Sequence, residues 1–363
     1  MAYSFDEIAK LDPYGTGRGE KAELYARVLS ELTSSHYARC AGYRKILDAF
    51  GCDPRPTRSA EAQFMLPVGV FKTNELSSVP GSEILKTMTS SGTSGQAVSK
   101  IFLDRENVRA QTRALASIIS SFIGNKRLPL IMLDTALVST DRSMFSARGA
   151  GIVGFSTFGR DVFFALDENM RPDVDAARAF VEKHRSERIL LFGYTYMIWR
   201  HVVRELAETG RSLGIRDGVL FHIGGWKKLK DEAVDRGAFN GAVRETIGDV
   251  RVHNYYGMAE QLGSVFVECE HGNMHCSVYS DVIIRRHRDF SAAPSGERGI
   301  VELLSLLPTS YPGHVLLTED EGEILGEDDC PCGRLGKYFR LHGRVRGAEV
   351  RGCSDTYEYR RAG

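Results

Sequence analysis

Between residues 104 and 256, short apolar runs alternate with stretches whose apolar residues recur at helical spacing. That alternation limits the fold more than any other feature of the chain. Residues 128–133 (LPLIML), 188–192 (RILLF) and 219–223 (VLFHI) read as buried strands. Residues 105–122, 173–184 and 195–209 read as helices, with Asp104 a natural N-cap for the first and Gly210 closing the last. Strands alternating with helices imply a layered α/β core. Upstream, 21–33 and 36–50 predict two amphipathic helices, the second ending at Gly51 before Pro54 and Pro56 break the chain. From Gly263 the pattern becomes strand-rich and turn-rich. The expected division is an N-terminal helical segment over 1–66, an α/β core over 67–262, a β-rich subdomain over 263–343 and a tail over 344–363.

Composition excludes several function classes. Lys+Arg and Asp+Glu both number 47, so no basic field argues for nucleic acid or an anionic membrane surface. No apolar run is long enough to span a bilayer, and the first residues lack a signal peptide's pattern, so a cytoplasmic location without membrane insertion is expected. Seven cysteines, odd in number and unevenly spread, do not suggest a disulfide framework.

The stretch Thr89-Ser90-Ser91-Gly92-Thr93-Ser94-Gly95-Gln96 joins a strand-like approach (83–88) to an alternating exit (97–103). Glycines permit close backbone approach, and main-chain N–H groups with hydroxyls can surround phosphate oxygens. Lys100 adds a cation just beyond. The stretch lacks the Gly-Lys-Ser/Thr of a Walker loop, and both a phosphate loop and an ordinary hairpin turn stay open. Residues 149–154 (GAGIVG) match a dinucleotide fingerprint by letter, but 155–159 is glycine-rich and β-prone rather than helical, so the fingerprint is rejected. Tyr14 to Gly19 has no strand before it and reads as a turn.

A second informative stretch is Asn254-Tyr255-Tyr256-Gly257-Met258-Ala259-Glu260. An aromatic ring can stack on a base, and a carboxylate near a triphosphate needs a bridging Mg²⁺. Together with the hydroxyl-rich stretch, it resembles the adenylate-forming superfamily of acyl-CoA synthetases. The resemblance implies that Ser90, Ser91, Gly92, Thr93, Ser94 and Gly95 hold ATP phosphates, that Tyr255 or Tyr256 stacks on adenine beside Gly257, and that Glu260 binds Mg²⁺. It places Gly224 and Gly225 on the adenine side and Asp320 and Arg344 at the ribose. The implied fold is the superfamily's large α/β domain with a smaller β-rich subdomain.

A narrower resemblance, carried by Ser310 to His314, Leu317 to Gly322, Gly333 to Lys337 and Ala348 to Tyr357, is to the bacterial acyl-protein synthetase (LuxE-type) family. It implies activation of a fatty acid to acyl-AMP with release of pyrophosphate, then transfer to Cys353 and on to an acyl reductase or acyl-carrier partner. Arg344, Arg346 and Arg351 around Cys353 would favour a thiolate. Superfamily members that make acyl-CoA continue into a mobile domain bearing a catalytic lysine, whereas this chain stops at Gly363. Lys100, Lys227 and Lys228 are therefore the candidate catalytic cations. A ligase acting on CoA, a carrier thiol or an amine is the enzymatic rival, and a nucleotide-binding scaffold the non-enzymatic one. The acid, fatty or aryl, is not specified; Phe155, Phe158, Phe192 and Tyr194 are candidates to line its pocket.

Cysteines and histidines cluster at 269–276 (CEHGNMHC) and 330–332 (CPC). Such clusters read as metal ligands before disulfides, and Zn²⁺ takes four N/S ligands. A similar pattern in phenylacetate-CoA-ligase-like proteins implies Cys269, His275, Cys330 and Cys332, with Cys276 and His271 as substitutes. Buried thiols without metal are the alternative.

Overall fold

The computed structural model describes residues 3–55, 57, 59–90, 98–137, 147–226 and 232–345. They fall into two compact units. Among the described residues, unit 1 takes 3–90, 98–122 and 257–345, and unit 2 takes 123–256.

Unit 1 begins with the helix Arg18–Arg39, whose buried stripe includes Tyr25, Val28, Leu29 and Leu32. The expected second helix over 36–50 is a correction. His36 stays in the first helix, the chain turns at Cys40 with extended backbone, and a short helix covers Ala41–Ala49. The physical reason is tertiary. The His36 ring bonds Ser78 Oγ at 2.7 Å and the Pro308 carbonyl at 3.0 Å, which fixes its turn of helix. Strand β1 (Leu66–Pro67) follows, then the hairpin of β2 (Lys86–Thr89) and β3 (Lys100–Leu103), then the helix Arg105–Ile123 at the unit boundary.

Unit 2 holds β4 (Leu128–Thr135), β5 (Gly159–Leu166), β6 (Ile189–Tyr194), β7 (Ile215–Ile223) and β8 (Gly248–Tyr256). They form a parallel sheet in the order β8-β7-β6-β4-β5. Every residue of β6 is buried, as expected of a parallel strand covered on both faces. Val174–Lys183 is capped by Asp173, and Arg236–Thr246 by Asp235. Residues 195–209 are helical throughout, with a π-helical turn at Ile198–Val203 and Gly210 left-handed at the end.

The glycine string at 149–154 is a second correction: it lies inside the helix Ala147–Ser156, so Phe155 and Ser156 are helical rather than β-like. Gly151 serves packing, since a Cβ there would sit 2.6 Å from the Tyr194 hydroxyl. Gly151→Ala is therefore expected to destabilise the protein by about 1–3 kcal/mol through overpacking. Urea denaturation monitored by fluorescence would read this, and an unchanged midpoint would show that Tyr194 yields freely.

The chain then completes unit 1 with β9 (Phe266–Glu268), β10 (Met274–His275), β11 (Ser280–Arg285), β12 (Gly299–Ser305), β13 (Val315–Glu327) and β14 (Lys337–Arg344). Their order is β11-β12-β13-β14-β10-β9, and β1 adds to β13 in parallel. The mixed α/β class and the strand-rich later part agree with the sequence reading. No helix among the described residues is long and apolar enough to cross a membrane.

Candidate active site and metal centre

The β2–β3 hairpin runs in register from Lys86↔Leu103 to Thr89↔Lys100. Ser90 extends it: its hydroxyl accepts from the Ser99 N–H at 2.9 Å, and its own N–H donates to the Ser99 carbonyl at 3.1 Å. Ser91, Gly92, Thr93, Ser94 and Gly95 lie outside the described residues, as do Lys227, Lys228 and Cys353. Lys100 is exposed at the turn end of the hairpin, its Nζ 2.7 Å from the Glu75 carboxylate.

Glu260 sits on the 3₁₀ turn Ala259–Gln261 and is only 3 % exposed. Its Oε1 has no hydrogen-bond partner among the described residues. The backbone around it is clamped. Tyr311 donates its hydroxyl to the Glu260 carbonyl at 3.0 Å, and the Gln261 amide donates to the carbonyls of Gly313 at 2.8 Å and Leu303 at 3.1 Å. A buried carboxylate oxygen left unpaired is costly unless a donor or cation meets it. Mg²⁺, which prefers hard carboxylate oxygens, suits that atom.

Asp320 and Arg344 face each other across β13 and β14. Arg344 Nε lies 3.5 Å from Asp320 Oδ1, and its Nη1 donates to Glu319 Oε2 at 3.1 Å. The Thr318 hydroxyl accepts from the Asp320 N–H at 3.1 Å, which fixes the strand at this point. Both charged side chains are half-buried.

In unit 2 the carboxyl ends of the parallel strands carry Tyr255, Tyr256, Gly224 and Gly225, the place where open α/β sheets bind ligands. Strand alternation separates the two tyrosines. Tyr255 is buried, its ring 5.6 Å from Phe155 and 6.4 Å from Phe192, whereas Tyr256 is half-buried. Phe155 stacks on Phe192 at 4.0 Å, with Phe158 and Tyr194 around them. Gly224 adopts φ of 88°, a left-handed conformation that glycine accepts without strain.

Sequence reasoning missed Arg148 and Asp134, a fully buried bidentate ion pair at the carboxyl end of β4. They are 14 residues apart on different elements, and no local pattern announces such a pair. It also missed Tyr311 as a partner of Glu260, although Ser310 to His314 stood out as a motif.

Cys269, His275, Cys330 and Cys332 come together in unit 1, with all four ligand atoms within 4.8 Å of one another. Cys269 Sγ lies 4.0 Å from Cys330 Sγ, and Cys332 Sγ lies 3.3 Å from His275 Nε2. A zinc tetrahedron built on Zn–S bonds near 2.3 Å has edges of about 3.6–3.8 Å, so the donor set fits. Burial pushes the Cys269 thiol up to about 12 and the His275 ring down to about 4. Loading a metal there releases thiol protons. Arg334, over the Phe122 ring at 4.1 Å and paired with Glu270 at 3.0 Å, brings a compensating cation.

A family model described as acyl-protein synthetase, LuxE, matches residues 3–360. The chain belongs to that family. As an acyl-protein synthetase it is a ligase that joins an acyl group to protein. Similar proteins include the long-chain-fatty-acid–luciferin-component ligase of Vibrio harveyi, 24% identical over 352 residues covering 92% of this chain and 87% of that protein. The ligase of the same name from Aliivibrio fischeri is 24% identical over 354 residues, covering 92% and 88%. Among solved structures, an open conformation of 2-hydroxyisobutyryl-CoA ligase with 2-HIB-AMP and CoA superposes with a TM-score of 0.68 at 17% identity, covering 93% of this chain and 77% of that one. The same ligase in its thioesterification state gives 0.65 at 17% identity, covering 92% and 70%. At that identity the likeness is one of fold, and this acyl-protein synthetase shares the adenylate-forming architecture.

Proposed function

We propose that the chain binds ATP with Mg²⁺, adenylates a long-chain fatty acid and carries the acyl group as a thioester on Cys353. The observation that carries the reading is Glu260: a buried carboxylate with an unpaired oxygen on a clamped turn, in a chain of this family. Glu260 would hold Mg²⁺, which neutralises phosphate charge when bound. Ser90, Ser91, Gly92, Thr93, Ser94 and Gly95 surround the phosphates. Tyr256 supplies the adenine-stacking ring, since Tyr255 is committed to the aromatic core. Gly224 and Gly225 let the nucleotide approach the backbone, and Asp320 and Arg344 take the ribose side. The cation beside the α-phosphate comes from Lys100, Lys227 or Lys228.

In the first step a carboxylate oxygen of the acid forms a bond to the α-phosphorus, and the bond to pyrophosphate breaks. In the second, the Cys353 sulfur, having lost its proton to solvent, bonds to the acyl carbon as AMP leaves. The acyl group then passes to a reductase or carrier protein. The names of the two ligase relatives support a long-chain fatty acid as the substrate class. Cys269, His275, Cys330 and Cys332 hold a structural zinc that ties the β-rich strands together.

ATP–pyrophosphate exchange across a panel of carboxylic acids tests the first step. Exchange with no acid would remove the adenylation reading. Cys353→Ser is expected to keep exchange and lose all denaturation-stable acyl label. Label retained in that variant would place the carrier on another residue.

A further inference from the structure

We infer that the turn from Ser310 to His314 is the positioning device for Glu260, with Tyr311 and Gln261 as positioning residues for the metal-binding carboxylate. The inference rests on Glu260 as the Mg²⁺ ligand, as proposed above. Tyr311 is fully buried, and among the described residues its hydroxyl makes one hydrogen bond, to the Glu260 carbonyl at 3.0 Å. Gln261 reaches back from the next residue to the Gly313 carbonyl at 2.8 Å, so turn and carboxylate segment are latched in both directions. Gly313 makes the closeness possible: a Cβ there would lie 2.3 Å from the Tyr311 ring and 2.8 Å from the Glu260 carbonyl.

The same turn also grips the strand leaving the hydroxyl-rich stretch. Ser310 Oγ lies 2.9 Å from the Phe102 carbonyl on β3 and 2.8 Å from Asn107 Oδ1, while the Asn107 amide donates to the Leu307 carbonyl at 2.8 Å. His314 anchors the far end through Thr33 Oγ1 at 2.8 Å. One rigid turn thus sets both the backbone of Glu260 and the strand that follows residues 91–97. A carboxylate that must meet an octahedral, sterically strict ion gains from such fixing.

The test uses the full chain, the non-hydrolysable ATP analogue AMPCPP and Mg²⁺, with binding followed by calorimetry in EDTA and across a Mg²⁺ titration. Tyr311→Phe keeps the ring and deletes the hydroxyl. It is expected to raise the Mg²⁺ concentration for half-maximal enhancement about tenfold, the order expected when a buried carbonyl loses its donor. Affinity for AMPCPP in EDTA should stay unchanged. Gln261→Met, which keeps the shape and removes the amide, should shift in the same direction, and it serves if Tyr311→Phe does not fold. Glu260→Gln should abolish the Mg²⁺ enhancement. If both positioning variants keep the wild-type Mg²⁺ half-point while Glu260→Gln loses enhancement, the positioning role is overturned and the metal role of Glu260 stands. An equal loss with and without Mg²⁺ marks a general packing defect and also overturns the inference. If Glu260→Gln retains full enhancement, the carboxylate does not hold the ion and both ideas fall together.

Discussion

A Cys330→Ser variant is expected to be purified without zinc and to unfold roughly 5–10 °C below the wild type. The four donors come from two segments 61 residues apart, Cys269 with His275 on one side and Cys330 with Cys332 on the other. An ion held by all four cross-links the β9–β10 strands to the loop before β14. Structural zinc contributes folding energy outright, and even a few kcal/mol of it moves the midpoint of a chain this size by several degrees. Elemental analysis alongside scanning calorimetry is the measurement. Treating the wild type with a strong chelator should reproduce the variant's midpoint, and the variant should ignore the chelator. A wild type that carries no metal, or one whose midpoint the chelator leaves in place, would sink the zinc assignment.

Acid should destabilise unit 1 early. His36 and His314 are buried with ring centroids 4.9 Å apart; both His36 nitrogens are hydrogen-bonded, to Ser78 and the Pro308 carbonyl, and His314 Nε2 meets Thr33 Oγ1, while its Nδ1 has no partner among the described residues. Burial lowers His36 to about 3, and burial followed by the His36 charge lowers His314 well below its ordinary value of 6.5. Both folded values lie under the unfolded one, so the unfolded chain takes up protons first as pH falls. The stabilisation is complete above about 6.5 and is lost progressively toward about 3. At pH 5 the neutral His36 ring costs roughly 2 kcal/mol, and His314 acts in the same direction. Unfolding free energies from urea titrations at several pH values would read the slope. The variant His36→Gln with His314→Gln should show a flatter slope between pH 7 and 5, whatever its absolute stability. His222, also lowered to about 3 by burial, contributes a slope common to both proteins, so the difference isolates the pair. An identical slope in the variant would mean that the rings are not both neutral in the folded state.

How much of this was legible in the sequence depends on the range of the interaction concerned. Of the five parallel strands of unit 2, β4, β6 and β7 were readable because runs such as 128–133 and 219–223 are apolar on both faces and closed by local punctuation, whereas β5 and β8 were not among the runs read as buried strands. The hairpin around residues 91–97 was readable from its two flanks, and the four metal-site candidates from their spacing combined with family likeness. The break at Cys40 was not, because His36 is fixed by Pro308, 272 residues away. Nor was the Arg148–Asp134 pair, whose partners sit on a strand and a helix that only the folded sheet brings together. The glycine string at 149–154 misled for a related reason. Its small residues serve a helix packed against Tyr194, which letter patterns do not distinguish from a loop.

The segmented build of unit 1 has a consequence for how the chain is made. Among the described residues, 3–90 and 98–122 share their unit with 257–345, whereas the other unit takes 123–256. On the ribosome the later-starting unit can therefore close first. At about 5–20 residues per second, the helix Arg18–Arg39 waits tens of seconds before the strands it rests on emerge. During that interval the Tyr25 hydroxyl lacks the Val278 carbonyl to which it donates at 3.3 Å in the folded chain.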